Sequence, residues 1–166
     1  MQTPIVQDIY NMIDQIAPFE TQADFDNAGF LVGDRNQPVQ RILLCLDLGP
    51  AVLREAKEND VQLIVSHHPV MFNSIKQLTT DTFENGLILD LVRHNISLIS
   101  AHTNLDQSVI SPSNSTAKLL GLKNIVPLDQ YMVMGELEDG IIADDFLPHM
   151  NNRLNYQGML YGRGDK

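Results

Sequence analysis

The chain has a single cysteine, Cys45. That excludes an intrachain disulfide and a zinc site built on several thiolates. Basic residues are scarce as well: 11 Lys and Arg against 21 Asp and Glu leave a formal charge of −10. No run of Lys or Arg interrupts that balance, so attraction to nucleic acid or to an anionic membrane is disfavoured. No apolar stretch approaches the roughly 18 residues of a membrane span. The N-terminus has no charged segment leading into an apolar one, as a secretory signal would. A Gly-x-Ser-x-Gly nucleophile turn is missing, and Tyr161-Gly162-Arg163-Gly164 lacks the Lys-Ser/Thr of a phosphate loop. A cytoplasmic protein with no membrane association is the expectation.

With 166 residues, 43% of them hydrophobic, the chain suits one or two small domains with a core that needs no disulfide. Val6, Ile9, Met12, Ile13 and Ile16 recur at helical spacing and predict a helix over residues 4–17, closed by Pro18. Residues 19–33 read as a loop containing Asp24-Phe25-Asp26-Asn27-Ala28-Gly29 and a short apolar piece. Three apolar runs follow, at 42–46, 61–65 and 96–99, each short enough to be a buried strand. Between them, Pro50 opens one predicted helix and residues 82–95 form another; a further helix spans 114–120. This alternation argues for a mainly parallel sheet in a three-layer α/β/α arrangement. Past Pro127 the signal thins to a strand over 131–137, a helix over 144–154 and a strand starting at 159–161. The expected division is a metal-binding domain over 1–127 and the start of a second α/β domain over 128–166, incomplete in this chain.

Strands of a parallel sheet all end at one edge, where ligands bind. Here the three predicted strands run into Asp47, then His67 and His68, then His102 and Asp106. Imidazole and carboxylate together suit zinc, iron, manganese or nickel. Adjacent histidines alternate sides within a strand, but at a strand exit they can diverge and serve two neighbouring ions. Pro69 holds His68 extended there. Bland readings exist for each residue. A strand-terminal Asp47 is most simply a helix N-cap. His102 could equally orient Asp106 or donate to a main-chain carbonyl. His94 reads as a structural cation at a helix end, His149 as a surface residue, and Cys45 as packing. Only convergence on one edge favours a metal site.

Three ordered motifs, Asp24-Phe25-Asp26-Asn27-Ala28-Gly29-Phe30, Ser66-His67-His68-Pro69 and His102-Thr103-Asn104-Leu105-Asp106, resemble the NIF-three-like family, also labelled GTP cyclohydrolase I type 2. Ile16-Ala17-Pro18 and Leu31-Val32-Gly33-Asp34 fit its N-terminal pattern. The resemblance implies a two-domain α/β/α protein with two divalent transition-metal ions per subunit, assembled as a toroidal homohexamer. It implies metal binding by His67, His68 and Asp106, with His102 lining the site as ligand or support. A nucleotide or related small molecule is the implied substrate, opened hydrolytically; by residue type alone, His102 and Glu20 are candidate proton relays. The competing expectation is a non-catalytic metal-binding scaffold or regulatory protein. Two departures stand out. Ile110-Ser111-Pro112-Ser113-Asn114 replaces the family's Gly-Gly-Val-Asn, and the C-terminal His-x-x-x-Glu ligands are absent, Arg153 standing four residues past His149.

Overall fold

A computed structural model of the chain describes residues 3–138 and 141–156. The order of elements is α1 (Val6–Ile16), a 3-10 turn (Phe19–Thr21), β1 (Gly29–Val32), β2 (Ile42–Cys45), α2 (Pro50–Glu58), β3 (Leu63–Ser66), α3 (Phe83–Arg93), β4 (Ser97–Ser100) and α4 (Thr103–Asp106). There follow α5 (Pro112–Leu119), β5 (Lys123–Pro127), β6 (Val133–Glu136) and α6 (Ala143–Leu154). Two compact units result, Met1–Val109 and Ile110–Lys166. Their boundary falls before α5 because that helix packs on β5 and β6.

In the first unit the sheet order is β1-β4-β3-β2. Strands β2, β3 and β4 run parallel, while β1 lies antiparallel to β4. The apolar piece at Gly29–Val32, expected as part of a loop, is thus an edge strand. Its four residues are too few to display an alternation, and Gly33 follows at φ +112°. A side chain at Gly33 would meet Ser97 Cα at 2.7 Å, so the turn out of β1 runs hard against β4.

Strand alternation divides the core between the two faces. Ile64 and Leu98 join Leu53, Ala56, Leu87 and Leu91 from α2 and α3. Leu63 and Ile99 meet Val6 of α1, with Phe19 and Val39. Helices therefore cover both faces of a mixed sheet. Proline sits at the first position of α2, and Thr82 Oγ1 accepts the Asn85 N–H to start α3. These are the starts their sequences signal. β2, on the outer edge, turns Leu43 and Cys45 toward the α2–α3 core. Ile42 and Leu44 are left exposed, Leu44 by 75%. The Cys45 thiol is pushed up to about 11 by burial, with the charge of Asp47 adding, so it is packing and not a nucleophile.

In the second unit β5 pairs antiparallel with β6. β5 escaped the sequence reading because its side chains are mostly exposed and carry no period-two pattern. Val126, Met132 and Met134 are exposed. His149, expected at the surface, is half-buried and bonds the Leu120 carbonyl through Nε2 at 3.0 Å. The strand expected at 159–161 lies outside the described residues. Among the described residues no helix is long and apolar enough to cross a membrane.

Candidate metal centre

The edge formed by the C-terminal ends of β3 and β4 carries the histidines. The β2–β3 ladder continues one step past the strands, since His67 and His68 donate their N–H groups to the Cys45 and Leu46 carbonyls, each at 3.0 Å. Ser66 Oγ donates to the His68 carbonyl at 2.9 Å and pairs with Ser100 Oγ at 2.7 Å. These bonds lock the exits of β3 and β4 to each other. From β4 the chain turns through His102 into α4, and the His102 N–H is held by Asn104 Oδ1 at 2.9 Å. Asn104 is fully buried and donates to the Ala17 carbonyl at 2.7 Å.

One ring nitrogen from each of His67, His68 and His102 lies within 4.8 Å of the other two. Their ring centroids are 4.9, 5.2 and 5.4 Å apart, a nearly equilateral triangle. The other nitrogens explain which atoms face inward. His67 Nδ1 lies 2.9 Å from the Ala101 carbonyl, an acceptor only, so this nitrogen carries the proton. His68 Nδ1 donates to Asp47 Oδ1 at 2.7 Å, and His102 Nδ1 to Asp26 Oδ1 at 2.8 Å. With Nδ1 carrying the proton, the lone pair of each imidazole lies on Nε2, the arrangement a metal-binding histidine needs. Asp106 Oδ1 stands 3.7 Å from His67 Nε2.

This donor set fits a divalent transition cation: three imidazoles with fixed tautomers, and a carboxylate beside them. The structure brings together all four expected residues, His67, His68, His102 and Asp106. It revises Asp47. Gly49 is the N-cap of α2 and no side chain caps that helix; Asp47 instead holds His68. Glu20 is not part of the cluster, and lines a separate hollow with Tyr10 and Asp14. His94 caps α3 and bonds the Asp90 carbonyl, as a residue at a helix end should.

Asp26 went unrecognised as a site residue in the sequence, where it sits in a loop motif that suits local turn bonds. It does make one, accepting the Asn27 N–H at 2.7 Å. But its side chain is 0% exposed and also accepts from His102 and from the Thr103 main chain at 3.0 Å and its hydroxyl. Burial opposes its ionisation, and the bonds from Thr103, His102 and Asn27 outweigh that and hold its carboxyl below the ordinary value.

A cavity of about 600 Å³ opens beside His68 and Asp47. It runs along the segment after Pro69 to the start of α3, and Phe72, Lys76, Phe83 and Asn85 are among its walls. Phe72 stands edge-on to His102 at 5.8 Å and so joins the histidines to the cavity. Asn27 Nδ2 donates to the Met71 carbonyl at 2.8 Å, anchoring this segment to the loop that carries Asp26.

Fold and site together define an α/β protein with a histidine cluster at the C-terminal edge of parallel strands. The sequence pattern of Duf34/NIF3 (NGG1p interacting factor 3) matches residues 4–166, and the chain belongs to that family. A Clostridium perfringens protein named GTP cyclohydrolase 1 type 2 homolog is 37% identical over 139 residues, covering 84% of this chain and 53% of that protein. A Campylobacter jejuni protein of the same name is 35% identical over 152 residues, covering 92% and 61%. Among solved structures, a Staphylococcus aureus hypothetical protein superposes with a TM-score of 0.83 at 26% identity, over 95% of this chain and 66% of that one. Reduced HcgD from Methanocaldococcus jannaschii gives 0.79 at 26% identity, over 90% and 60%. The chain spans about half to three fifths of the length of the two curated relatives.

Proposed function

We propose that this chain is the metal-binding part of a cytoplasmic metal-dependent hydrolase acting on a nucleotide or a related small molecule. The observation that carries the reading is the grouping of His67, His68 and His102, each with Nδ1 already bonded, His68 also lining a cavity. A divalent cation held by these residues supplies Lewis acidity there. Asp106 is the carboxylate placed to hold the cation or to accept a proton at Oδ1. Phe72 offers a ring face to a planar substrate, and Lys76 is the ammonium of a cavity in an otherwise acidic chain. The names of the relatives supply the nucleotide. In the complete family site the resemblance adds further ligands and a second ion.

Elemental analysis of untagged protein, alongside His67→Ala and Asp106→Ala, tests the metal. Near-stoichiometric transition metal in the parent, lost in both variants, is the expected result. The metal-loaded protein is then expected to convert GTP, followed by chromatography, and to stop when a chelator is added. Bound metal with no conversion of nucleotides favours the second reading, a non-catalytic scaffold forming a ring of copies. The exposed apolar residues Ile42 and Leu44 on edge strand β2, with Leu46 just past its end, support that alternative. On that reading Leu44→Asp lowers the mass seen by sedimentation.

A further inference from the structure

We infer, resting on the small-molecule reading above, that the cavity beside His68 holds the ring end of the substrate. It takes a planar nitrogen heterocycle with adjacent N–H donors and leaves any phosphates outside in water. Phe72, Phe83 and Glu84 are the residues that recognise the ring.

The cavity has a floor and two walls. Leu48, Leu87 and Ile88, all buried in the α2–α3 core, form the floor. One wall is the irregular segment after Pro69, and the other is the first turns of α3. Hydrogen bonds hold the irregular wall at two points. Asn27 fixes the Met71 carbonyl, and Asn85 Nδ2 from α3 donates to the Gln77 carbonyl at 3.1 Å. The cavity is thus formed before a ligand arrives. Its volume of about 600 Å³ falls within the roughly 300–1,000 Å³ of small-molecule sites.

The shape of the ligand follows from the aromatic residues. Phe72 is 50% exposed and Phe83 62%. A lone exposed ring needs no explanation, but these two come from the two walls and line one cavity over an apolar floor. Flat faces of this kind bind flat rings. Phe72 also stands edge-on to His102 at 5.8 Å, which keeps a ring held against it near the histidines.

Charge decides what the ring carries. The charged side chains lining the cavity are Asp47, Glu84 and Lys76, two carboxylates to one ammonium. Lys76 alone cannot offset a triphosphate, and the carboxylates repel it. Asp47 is engaged with His68. Glu84, in the first turn of α3, is left to face the ligand. A carboxylate accepts two parallel N–H bonds from a ring edge with adjacent donors, such as the N1–H and 2-amino group of guanine.

Isothermal titration calorimetry of the whole chain with guanosine, adenosine, GTP and inorganic triphosphate tests this. Guanosine is expected to bind within about fivefold of GTP, and inorganic triphosphate at least about tenfold more weakly than either. Phe72→Ala and Phe83→Ala each weaken guanosine about tenfold, the usual worth of a stacked base; circular dichroism checks their fold. Glu84→Gln removes the preference for guanosine over adenosine and leaves adenosine unchanged, which a folding defect would not do. GTP binding tighter than guanosine by more than the stated margin, or inorganic triphosphate binding as well as guanosine, would overturn the inference. So would phenylalanine variants or Glu84→Gln that bind as the parent does, or no guanosine binding at millimolar concentration. Guanosine binding without conversion of any nucleotide defeats the hydrolase reading and leaves this one standing. GTP conversion at the parent's rate by both phenylalanine variants does the reverse.

Discussion

Asp26 shows how a small residue in a loop can set the chemistry of a site. One oxygen receives the Nδ1–H of His102 at 2.8 Å, and the other receives the Thr103 N–H at 3.0 Å and the Thr103 hydroxyl. Asp26→Asn keeps the size but turns an amide N–H₂ toward one of these donors. A buried donor without an acceptor costs about 1–3 kcal/mol, and His102 loses its anchor. Urea unfolding is expected to show that loss, and zinc affinity to fall about 10- to 100-fold. Lost stability with unchanged affinity would mean Asp26 is structural only. The four metal candidates were legible because strand exits bring them to one edge. Asp26 was not, because its partner lies 76 positions away in sequence and a local turn bond was sufficient reason for an aspartate there. Asp47 misled for a related reason: an acidic residue before a helix signals a cap, and only the folded β2–β3 ladder turns it toward His68.

At the scale of elements, α2 and α3 pack side by side on one sheet face and are tied by Lys57 Nζ to Asp90 Oδ2 at 2.9 Å. The Lys57 bond holds the Asp90 carboxyl below its ordinary value. Burial opposes this, and the charges of Lys57, His94 and Arg93 add to it. Because the folded value is depressed, this stabilisation is fully present above the ordinary aspartate value of about 3.9, and is lost as pH falls through the folded value. Asp90→Asn is therefore expected to lower the melting temperature at pH 7 and to match the parent at the acid end of the profile. The pair is about one-third exposed, so the difference is below about 1 kcal/mol. An unchanged gap across the pH range would contradict the assignment. The parallel strands and their helices were readable because each apolar run is bounded by a turn signal. β1 and β5 were not, since both are short outer strands whose partners, rather than their own pattern, make them strands.

On the scale of the molecule, every residue of the candidate site belongs to the unit Met1–Val109, which has its own helices on both sheet faces. Residues 1–109 produced alone are expected to fold and to bind zinc with an affinity within about threefold of the whole chain, by chelator competition. Failure of a folded 1–109 fragment to bind would show that the site needs residues from elsewhere. The acidic balance of the whole chain was legible in the sequence. The approach of three imidazole nitrogens to within 4.8 Å of one another was not, because it depends on how the folded ends of β3 and β4 are held together.

Anomalous diffraction at the zinc edge, from crystals of the chain grown with zinc, tests the central claim most directly. One strong peak within bonding distance of Nε2 of His67, His68 and His102 is the predicted result. A well-ordered histidine cluster with no peak among the three rings, or zinc bound only elsewhere on the chain, would contradict it.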